Sequence, residues 1–384
     1  MTEAGPIEFD LPAGARVVVA MSGGVDSAVA AALLVEAGFE VVGVTLQLYD
    51  QRASRRDGKT CCAGRDLADA RAVAERLAIP HYLVDREARF REAVIEDFAA
   101  AYAAGRTPVP CVRCNERIKF ADLLELARDL GAQALATGHY ARRVEGPEGP
   151  ELHRAFDRRR DQSYFLFATR PEQLAFLRFP LGGLAKEDVR RIAAARGLPV
   201  ALKPDSQDLC FVPDGDHARL VGAVRPEALR PGQVVHVDGR VLGTHDGIAR
   251  FTVGQRRGLK LATGEPLYVT AIDAARARIE VGPRRATRVA GARLEGCSWL
   301  GEPMVGEDLG VRHRYNEPSV AARIEAAADG SARVRFLEPQ AGVAPGQACV
   351  AWRGTRVLGG GWIAATERIE SEAAERLDGL VPAP

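Results

Sequence analysis

Val17-Val18-Val19-Ala20-Met21-Ser22-Gly23-Gly24-Val25-Asp26-Ser27 is the stretch on which the reading of this chain turns. An apolar, β-branched run ends at two glycines and restarts with helical spacing through Ala28, Leu33 and Leu34. That order reads as a strand, a tight turn and a helix N-terminus. Glycine lets the backbone come close to an anion. The amides of the first turn, the helix dipole and the hydroxyls of Ser22 and Ser27 then bind it. No Gly-Lys-Ser/Thr follows, so this is not a Walker A loop, and it lacks Gly-x-Gly-x-x-Gly spacing. An anion site is preferred over a plain Gly-Gly turn between core elements.

Outward from this loop the pattern alternates. Residues 40–48 read as a second strand, 66–77 as a helix, 81–84 as a third strand, and 90–104 and 116–130 as helices. A strand at 133–136 runs into Thr137-Gly138-His139-Tyr140. Strands alternating with helices predict a parallel, doubly wound sheet, whose ligands sit outside the carboxyl ends of the strands. Both the glycine turn and 137–140 fall there. Residues 142–152 read as a hairpin or loop, 186–196 as a helix and 203–208 as a polar loop. Beyond about residue 214 short alternating segments at 233–237, 268–273, 278–281, 321–327, 332–336 and 349–352 predict small β domains or a barrel.

With 384 residues the chain has room for two or three domains, and 47% hydrophobic with 27% charged residues is an ordinary globular balance. A net charge of +1 argues against an all-over basic coat for nucleic acid, while 52 Lys and Arg leave a local basic face open. There is no run of about 18 uncharged apolar residues, and the first ten residues carry acids, not a basic n-region. A cytoplasmic protein without a membrane or DNA partner is expected. Its seven cysteines are then candidates for catalysis or metal binding rather than disulfides.

Cys111-Val112-Arg113-Cys114 stands just ahead of a predicted helix. A helix N-terminus and the intervening Arg113 make a lowered thiol pKa the expectation. A redox pair, half a zinc site and coincidence all remain open, although no second pair at zinc spacing completes a structural site. Cys210 lies among polar neighbours in 205–211, whereas Cys297 and Cys349 sit in strand-like, core-like contexts. Cys61 and Cys62 fit either description.

SGGVDS at 22–27 resembles the pyrophosphate loop of the ATP pyrophosphatases, enzymes that adenylate a carbonyl oxygen. With it come CCAGRDLADAR (61–71), GRTPVPCVRCNERIKF (105–120), ATGHY (136–140), RRDQSYFL (159–166), KPDSQDLCF (203–211), TVGQRRGL (252–259) and PGQACVAW (345–352). In order and spacing these resemble the tRNA-specific 2-thiouridylases over nearly the whole chain. The resemblance implies an extension at 1–14 and an N-terminal doubly wound PP-loop domain at 15–213 with a tRNA-binding insertion. A small β-rich domain at 214–285 and a C-terminal β-barrel at 286–384 would follow.

It implies that Ala20, Met21, Ser22, Gly23, Gly24, Val25, Asp26 and Ser27 hold ATP phosphates, with Leu46 and Gly138 on the nucleotide. Asp26 is then the carboxylate on the Mg²⁺ side, or else only a helix cap. Cys114 matches the catalytic cysteine and Cys210 the persulfide carrier. Val109, Pro110, Cys111, His139, Arg160, Asp161, Gln162, Arg314, Tyr315 and Gln347 fall where the family contacts tRNA. Many members have asparagine at Val109 and aspartate at Cys111.

The implied reaction adenylates the 2-carbonyl oxygen of the wobble uridine in the anticodon loop, and sulfur from a persulfide or sulfide donor protein then displaces AMP. Cys111, Cys114 and Cys210 could instead hold three corners of a 4Fe–4S cluster, and the sequence leaves both routes open. An amide-forming synthetase with the same loop would need no cysteine trio. A non-catalytic RNA-binding protein would need no intact SGGVDS, and a thiol oxidoreductase would leave that loop unexplained.

Overall fold

The computed structural model describes residues 10–49, 62–205, 209–212 and 214–369, with the backbone alone at 62 and 63. The expected loop at 51–60, Cys61 and the end of the 203–208 loop lie outside the described residues. By their contacts the described residues fall into two compact units. One is built from the chain up to Ile95, the stretch from Cys111 to just before Asp214, and Thr355–Val357. The other takes Glu96–Pro110, Asp214–Gly354 and the chain from Leu358 on.

The first unit centres on a five-stranded sheet. Strand β1 (Arg16–Ala20) lies between β2 (Glu40–Gln47) and β4 (Ala134–Thr137), with β3 (His81–Asp85) at one edge and Leu177–Arg178 at the other. All four pairings are parallel. Val17, Val18 and Val19 are fully buried, as a central parallel strand covered on both faces requires. Helix α1 (Val25–Glu36) packs its Ala28–Ala32 run into the core, where small side chains allow close approach to the sheet. Strand order reverses at β1, running on to β2 and β3 on one side and to β4 on the other, so the topological switch point opens beyond Ala20 and Thr137. The doubly wound sheet expected from the sequence is therefore present. Helix α2 (Cys62–Arg76) begins earlier than the expected 66, and the 142–152 region is a hairpin of Ala141–Gly146 with Gly149–Arg154.

Two expected helices are not regular. The 90–104 segment is helical over Glu87–Phe90 and Asp97–Ala103, with a π-helical turn at Arg91–Glu96 between them. The 116–130 segment starts as a π-helical turn at Asn115–Lys119 before Phe120–Asp129 becomes α-helical. Apolar periodicity alone cannot show such an inserted residue, and π turns concentrate at functional sites.

In the second unit a four-stranded sheet (Tyr268–Asp273, Arg278–Gly282, Gly232–His236, Val241–His245) encloses Val234, Phe251, Val269, Ile279 and Val281. A six-stranded antiparallel barrel follows, in the order Arg288–Trp299, Ser331–Ala341, Val320–Ala328, Asp308–Arg312, Ala348–Arg353 and Arg356–Arg368. Pairing of the first strand with the last closes it. Gly359-Gly360-Gly361 lies inside that last strand. A Cβ at Gly360 would stand 2.3 Å from the Cys349 carbonyl oxygen and one at Gly361 2.5 Å from Cys297 Sγ, so the barrel leaves these positions no side chain. Cys349 is buried and Cys297 packs against the same core, as expected of both. Among the described residues no helix is long and apolar enough to cross a membrane.

Candidate active site

The anion loop leaves β1 at Met21, whose amide donates to the Val44 carbonyl at 2.8 Å and whose carbonyl accepts from Thr45 Oγ1 at 2.8 Å. Gly23 adopts φ +72°, and a Cβ there would lie 2.0 Å from the Asp66 carbonyl oxygen. Both its conformation and its space demand glycine. Gly24 occupies the N-cap of α1 without a side-chain cap, so the first-turn amides are not satisfied by the helix's own capping residue. Ser27 Oγ accepts from the Ser22 amide at 3.2 Å and donates to the Gly24 carbonyl at 3.1 Å, while the two serine hydroxyls stand 3.3 Å apart. Gly138, beyond β4, presses on α1 so closely that a Cβ would come within 2.8 Å of the Ser27 amide nitrogen. Leu46 borders a different apolar cluster, beside Phe90 and Cys114. Replacing Gly23 with alanine should lower the melting temperature and abolish ATP binding. The left-handed backbone alone costs about 1–2 kcal/mol, and the clash with Asp66 adds to it. Thermal melts and calorimetric ATP titration check this.

Asp26 lies in the first turn but caps nothing. Lys186 Nζ reaches both of its oxygens at 2.7 and 2.9 Å, and the Tyr140 hydroxyl donates to Oδ1 at 2.8 Å. Lys186 is almost wholly buried and also pairs with Asp205 at 2.9 Å, which Arg190 and Arg160 reach at 2.7 and 3.0 Å. Burial pulls the Asp205 pKa upward, but Lys186, Arg190 and Arg160 outweigh it and leave it lowered. Burial, followed by the Asp26 charge, pushes the Tyr140 hydroxyl far up, so it stays a donor. Lys186 and Tyr140 make three bonds to Asp26, two on Oδ1 and one on Oδ2, which leaves a lone pair of Oδ2 on a side chain that is 33% exposed. Among the described residues no group of three or more His, Cys, Asp or Glu side chains could hold a metal ion. Among the described residues there is thus no all-protein cage for Mg²⁺, the usual case for a metal that a nucleotide's phosphates and water would largely ligate.

On the other side of the loop, Lys203 Nζ donates to the Gly23 carbonyl at 2.8 Å, Asp66 Oδ1 at 2.6 Å and Asp69 Oδ2 at 2.5 Å. Lys186, Asp205, Lys203, Tyr140, Asp66 and Asp69 were not singled out from the sequence. Asp66 and Asp69 at i and i+3 on one helix face were the available signal, but carboxylates so spaced usually face solvent.

The thiols form the second half of the site. Cys111 and Cys114 do not precede a helix but lie within the helical turn Pro110–Cys114, which continues into the π turn. Cys114 is buried with Phe90, Val94 and Ile118, and Phe211, next to Cys210, packs on the same cluster. Cys114 is buried while Cys111 and Cys210 reach the surface, yet desolvation by the surrounding protein raises the pKa of all three thiols, with Cys210 pushed up to about 12, and neighbouring thiols add to this at Cys111 and Cys210. Lys119 opposes the rise at each of them, so one ammonium serves the three sulfurs. The lowered thiol pKa expected from Arg113 is thus reversed: its guanidinium pairs with Glu116 at 3.0 Å, and desolvation dominates. Alkylation of Cys210 in the free protein should therefore be slow near neutrality and keep rising beyond about pH 9, where an ordinary thiol levels off. Peptide-resolved iodoacetamide kinetics read this directly.

Of the residues expected on tRNA, His139 lies between the edges of Phe120 and Phe179, and its Nδ1 bonds Thr137 Oγ1 at 2.8 Å. Burial, aided by Lys119, pushes it down to about 3, so the ring is neutral at physiological pH. Arg160 is exposed. Asp161 is buried and accepts from the amides of Ala155 and Ser163 at 3.2 Å each, and Gln162 Oε1 accepts from the Tyr140 amide at 2.9 Å. These two brace the loop from inside.

In the second unit Val109 and Pro110 are buried, and Arg314 donates to the Val253 carbonyl at 2.5 Å. Tyr315 is half-buried beside it. Gln347 Nε2 donates to the Thr107 carbonyl at 3.0 Å, and the Thr107 amide to Pro345 at 2.8 Å, so the 344–347 turn holds the strand of chain leading to Val109.

Family models match three consecutive regions: a "tRNA methyl transferase HUP domain" over residues 15–214, a "tRNA methyl transferase PRC-barrel domain" over 223–283 and an "Aminomethyltransferase beta-barrel domain" over 290–363. A tRNA-specific 2-thiouridylase MnmA of Rhizorhabdus wittichii is 58% identical over 94% of this chain and 95% of its own. One of Rhodospirillum centenum is 54% identical over 97% of this chain and 96% of its own. Among solved structures, a 4-thiouridine synthetase–RNA complex with bound ATP is 16% identical with a TM-score of 0.33 over 56% of this chain and 52% of that one, too distant to speak to activity. The pyrophosphate-type loop, the thiol cluster and relatives this similar over nearly their full length agree: the chain belongs to the tRNA-specific 2-thiouridylase family.

Proposed function

We propose that this protein is an ATP-dependent tRNA-uridine 2-sulfurtransferase acting on the wobble uridine in the anticodon loop. The observation that carries the reading is that an uncapped Gly-rich helix N-terminus and a cluster of three thiols around Lys119 occur in one compact unit. A uridine carbonyl is a poor electrophile because oxide is a poor leaving group. Attack of its oxygen on the α-phosphate of ATP expels pyrophosphate and makes AMP the leaving group. The amides of the loop and the Ser22 hydroxyl would hold the departing pyrophosphate, with Lys186 and Lys203 flanking them as buried or half-buried cations.

Sulfur then arrives as a persulfide on Cys210, delivered by a donor protein. Its terminal sulfur adds to the activated carbon and AMP departs. Deprotonated Cys114 attacks Cys210 Sγ, breaking the S–S bond, leaving the terminal sulfur on the base and closing a Cys114–Cys210 disulfide that an external thiol reduces. Lys119 favours the thiolates this needs against the cost of burial. His139, neutral, and Arg160, exposed beside the Asp26 network, are the residues of this unit offered to RNA. A cytoplasmic reaction, where ATP and tRNA are both at hand, belongs to this reading.

The test incubates the protein with ATP, tRNA, a persulfide donor and a thiol reductant. Pyrophosphate release that depends on tRNA, together with 2-thiouridine in the digested RNA, is the expected result. Release without tRNA would point to another acceptor, as in an amide-forming synthetase. The third thiol, Cys111, is the specific feature favouring a cluster, yet no three-residue metal group exists among the described residues. Anaerobically purified protein should contain no stoichiometric iron and should still thiolate as Cys111→Ser. Iron approaching about four atoms per chain, with visible absorbance and thiolation both lost in that variant, would overturn the persulfide route.

A further inference from the structure

We propose that the turn between Thr252 and Tyr268 is a binding surface for the sugar–phosphate backbone of RNA, presented through Arg256, Arg257 and Lys260. All three side chains are exposed, and among the described residues no carboxylate pairs with any of them. Four other exposed arginines of this unit do have partners: Arg276 with Asp273, Arg323 with Asp308, Arg353 with Glu307 and Arg368 with Glu280. Unmatched like charges so close in sequence repel one another, and an anion relieves them.

The turn is nonetheless firmly built. The Gly254 amide donates to the Val269 carbonyl at 2.8 Å and the Val269 amide to the Gln255 carbonyl at 2.9 Å. Gln255 Oε1 accepts from the Thr252 amide, and its Nε2 donates to the Arg257 carbonyl, both at 2.9 Å. Arg314 grips the Val253 carbonyl and lies over Gly254, where a Cβ would come within 3.4 Å of its Nη2. Leu259 and Leu267 are buried anchors, and between them Lys260 takes φ +53°, a left-handed backbone that lysine seldom adopts. Arg256 and Lys260 line a cavity of about 430 Å³ whose one carboxylate among the described residues, Glu265, pairs with neither. A backbone fixed before binding leaves only the side chains to order.

A second unmatched pair lies at the same end of the four-stranded sheet. Tyr268, where the turn ends, pairs with Gly282, so Arg284 and Arg285 leave that end of the sheet as well, both exposed. Cations strung along an exposed surface suit phosphates spaced along a polynucleotide, whereas one small anion would need donors converging in a closed pocket. With a net charge of only +1, a local face of this kind is what attracts RNA to the chain. The inference rests on tRNA being the substrate, and it adds grip on the backbone, not chemistry.

Fluorescently labelled tRNA is titrated with the full-length protein at several salt concentrations. Arg256→Gln/Arg257→Gln/Lys260→Gln should bind at least about tenfold more weakly, with the slope of log affinity against log salt shallower by about 2 to 3. Its melting temperature should be unchanged, and in thiolation assays KM for tRNA should rise while kcat holds. Arg276→Gln/Arg323→Gln/Arg353→Gln removes as many charges from paired positions and should bind within about twofold of the parent. If the first variant does not fold, the three single substitutions are read instead, each reducing the slope by about 1. Unweakened binding by the folded variant, or equal weakening by the paired control, overturns the proposal. Unweakened binding with slower donor-dependent thiolation would assign the turn to an acidic donor protein and overturns it too. Thiouridine absent from the unaltered chain, with the difference in tRNA binding intact, overturns the functional reading and leaves the RNA surface standing.

Discussion

Cys210→Ser should form no detectable 2-thiouridine, a loss on the order of a thousandfold or more, while still releasing pyrophosphate from ATP when tRNA is present. Sulfur cannot be carried on a hydroxyl, so transfer stops. Adenylation needs the loop with its flanking lysines, the uridine oxygen and ATP, none of which involves the thiol. Cys114→Ser should fail differently. Its persulfide on Cys210 still forms and still adds to the adenylated carbon, but nothing breaks the S–S bond, so a covalent tRNA–protein adduct through Cys210 should accumulate. Denaturing gels with labelled tRNA separate the two cases, the adduct being released by added thiol. If Cys114→Ser turns over like the parent and Cys210→Ser forms the adduct, the two roles are exchanged. Cys111→Ser serves as the control, because Cys111 takes no step in this scheme. The raised thiol pKa values sharpen the expectation: the sulfurs are held protonated at rest, which slows adventitious oxidation even at the exposed Cys111 and Cys210.

The sequence made the loop and the strand–helix alternation plain because both are local. Val17–Val19 could only be a doubly covered strand, and two glycines before a helix pattern could only be a close turn. The functional cations were hidden for the opposite reason. Lys186 and Lys203 lie 160 and 180 positions from Asp26 and Gly23, and in the sequence each looks like a solvated charge. Burial reverses the meaning of such residues, and burial is not local. The same reason explains the thiols. Arg113 between two cysteines suggests a stabilised thiolate until the fold gives that guanidinium to Glu116 and packs Phe90 and Ile118 around Cys114. Asp161 and Gln162 sit in a motif that resembles an RNA-contact stretch, yet their side chains bond backbone amides of their own neighbourhood. They shape the surface that Arg160 presents. The π turn ahead of Phe120 was also invisible, since one extra residue per turn barely disturbs the apolar spacing that announces the helix.

Lys186→Met should both destabilise the protein and remove its ATP-dependent activity. The lysine side chain is 5% exposed, and its removal strands Asp26 and Asp205, whose side chains are 33% and 17% exposed. Breaking one partner out of a buried ion pair costs about 3–5 kcal/mol, and the partial exposure of Asp26 puts this case near about 3. Arg190 and Arg160 still compensate Asp205, so the larger part of the loss falls on Asp26. There the Tyr140 hydroxyl remains, but a neutral donor does not balance a carboxylate. An uncompensated negative charge in the first turn of α1 then faces the site where pyrophosphate must be held. ATP binding should weaken and adenylation fall by about a hundredfold or more. The stability effect carries a sign in pH. Asp205's lowered pKa means its contribution is present above the unfolded carboxylate range and is lost as pH falls through the folded value. The difference in stability between Lys186→Met and the parent should therefore be full at neutral pH and shrink below about pH 4, as Asp205 protonates and no longer needs the cation. Urea unfolding at several pH values measures it. A penalty that stays constant into acid would show that Lys186 acts through packing over the Tyr140 ring, 5.7 Å away, rather than through charge. Lys186→Arg decides between these independently. It keeps the charge, so on the ionic account it retains most of the stability even if the bulkier head group misplaces Asp26 and lowers the rate.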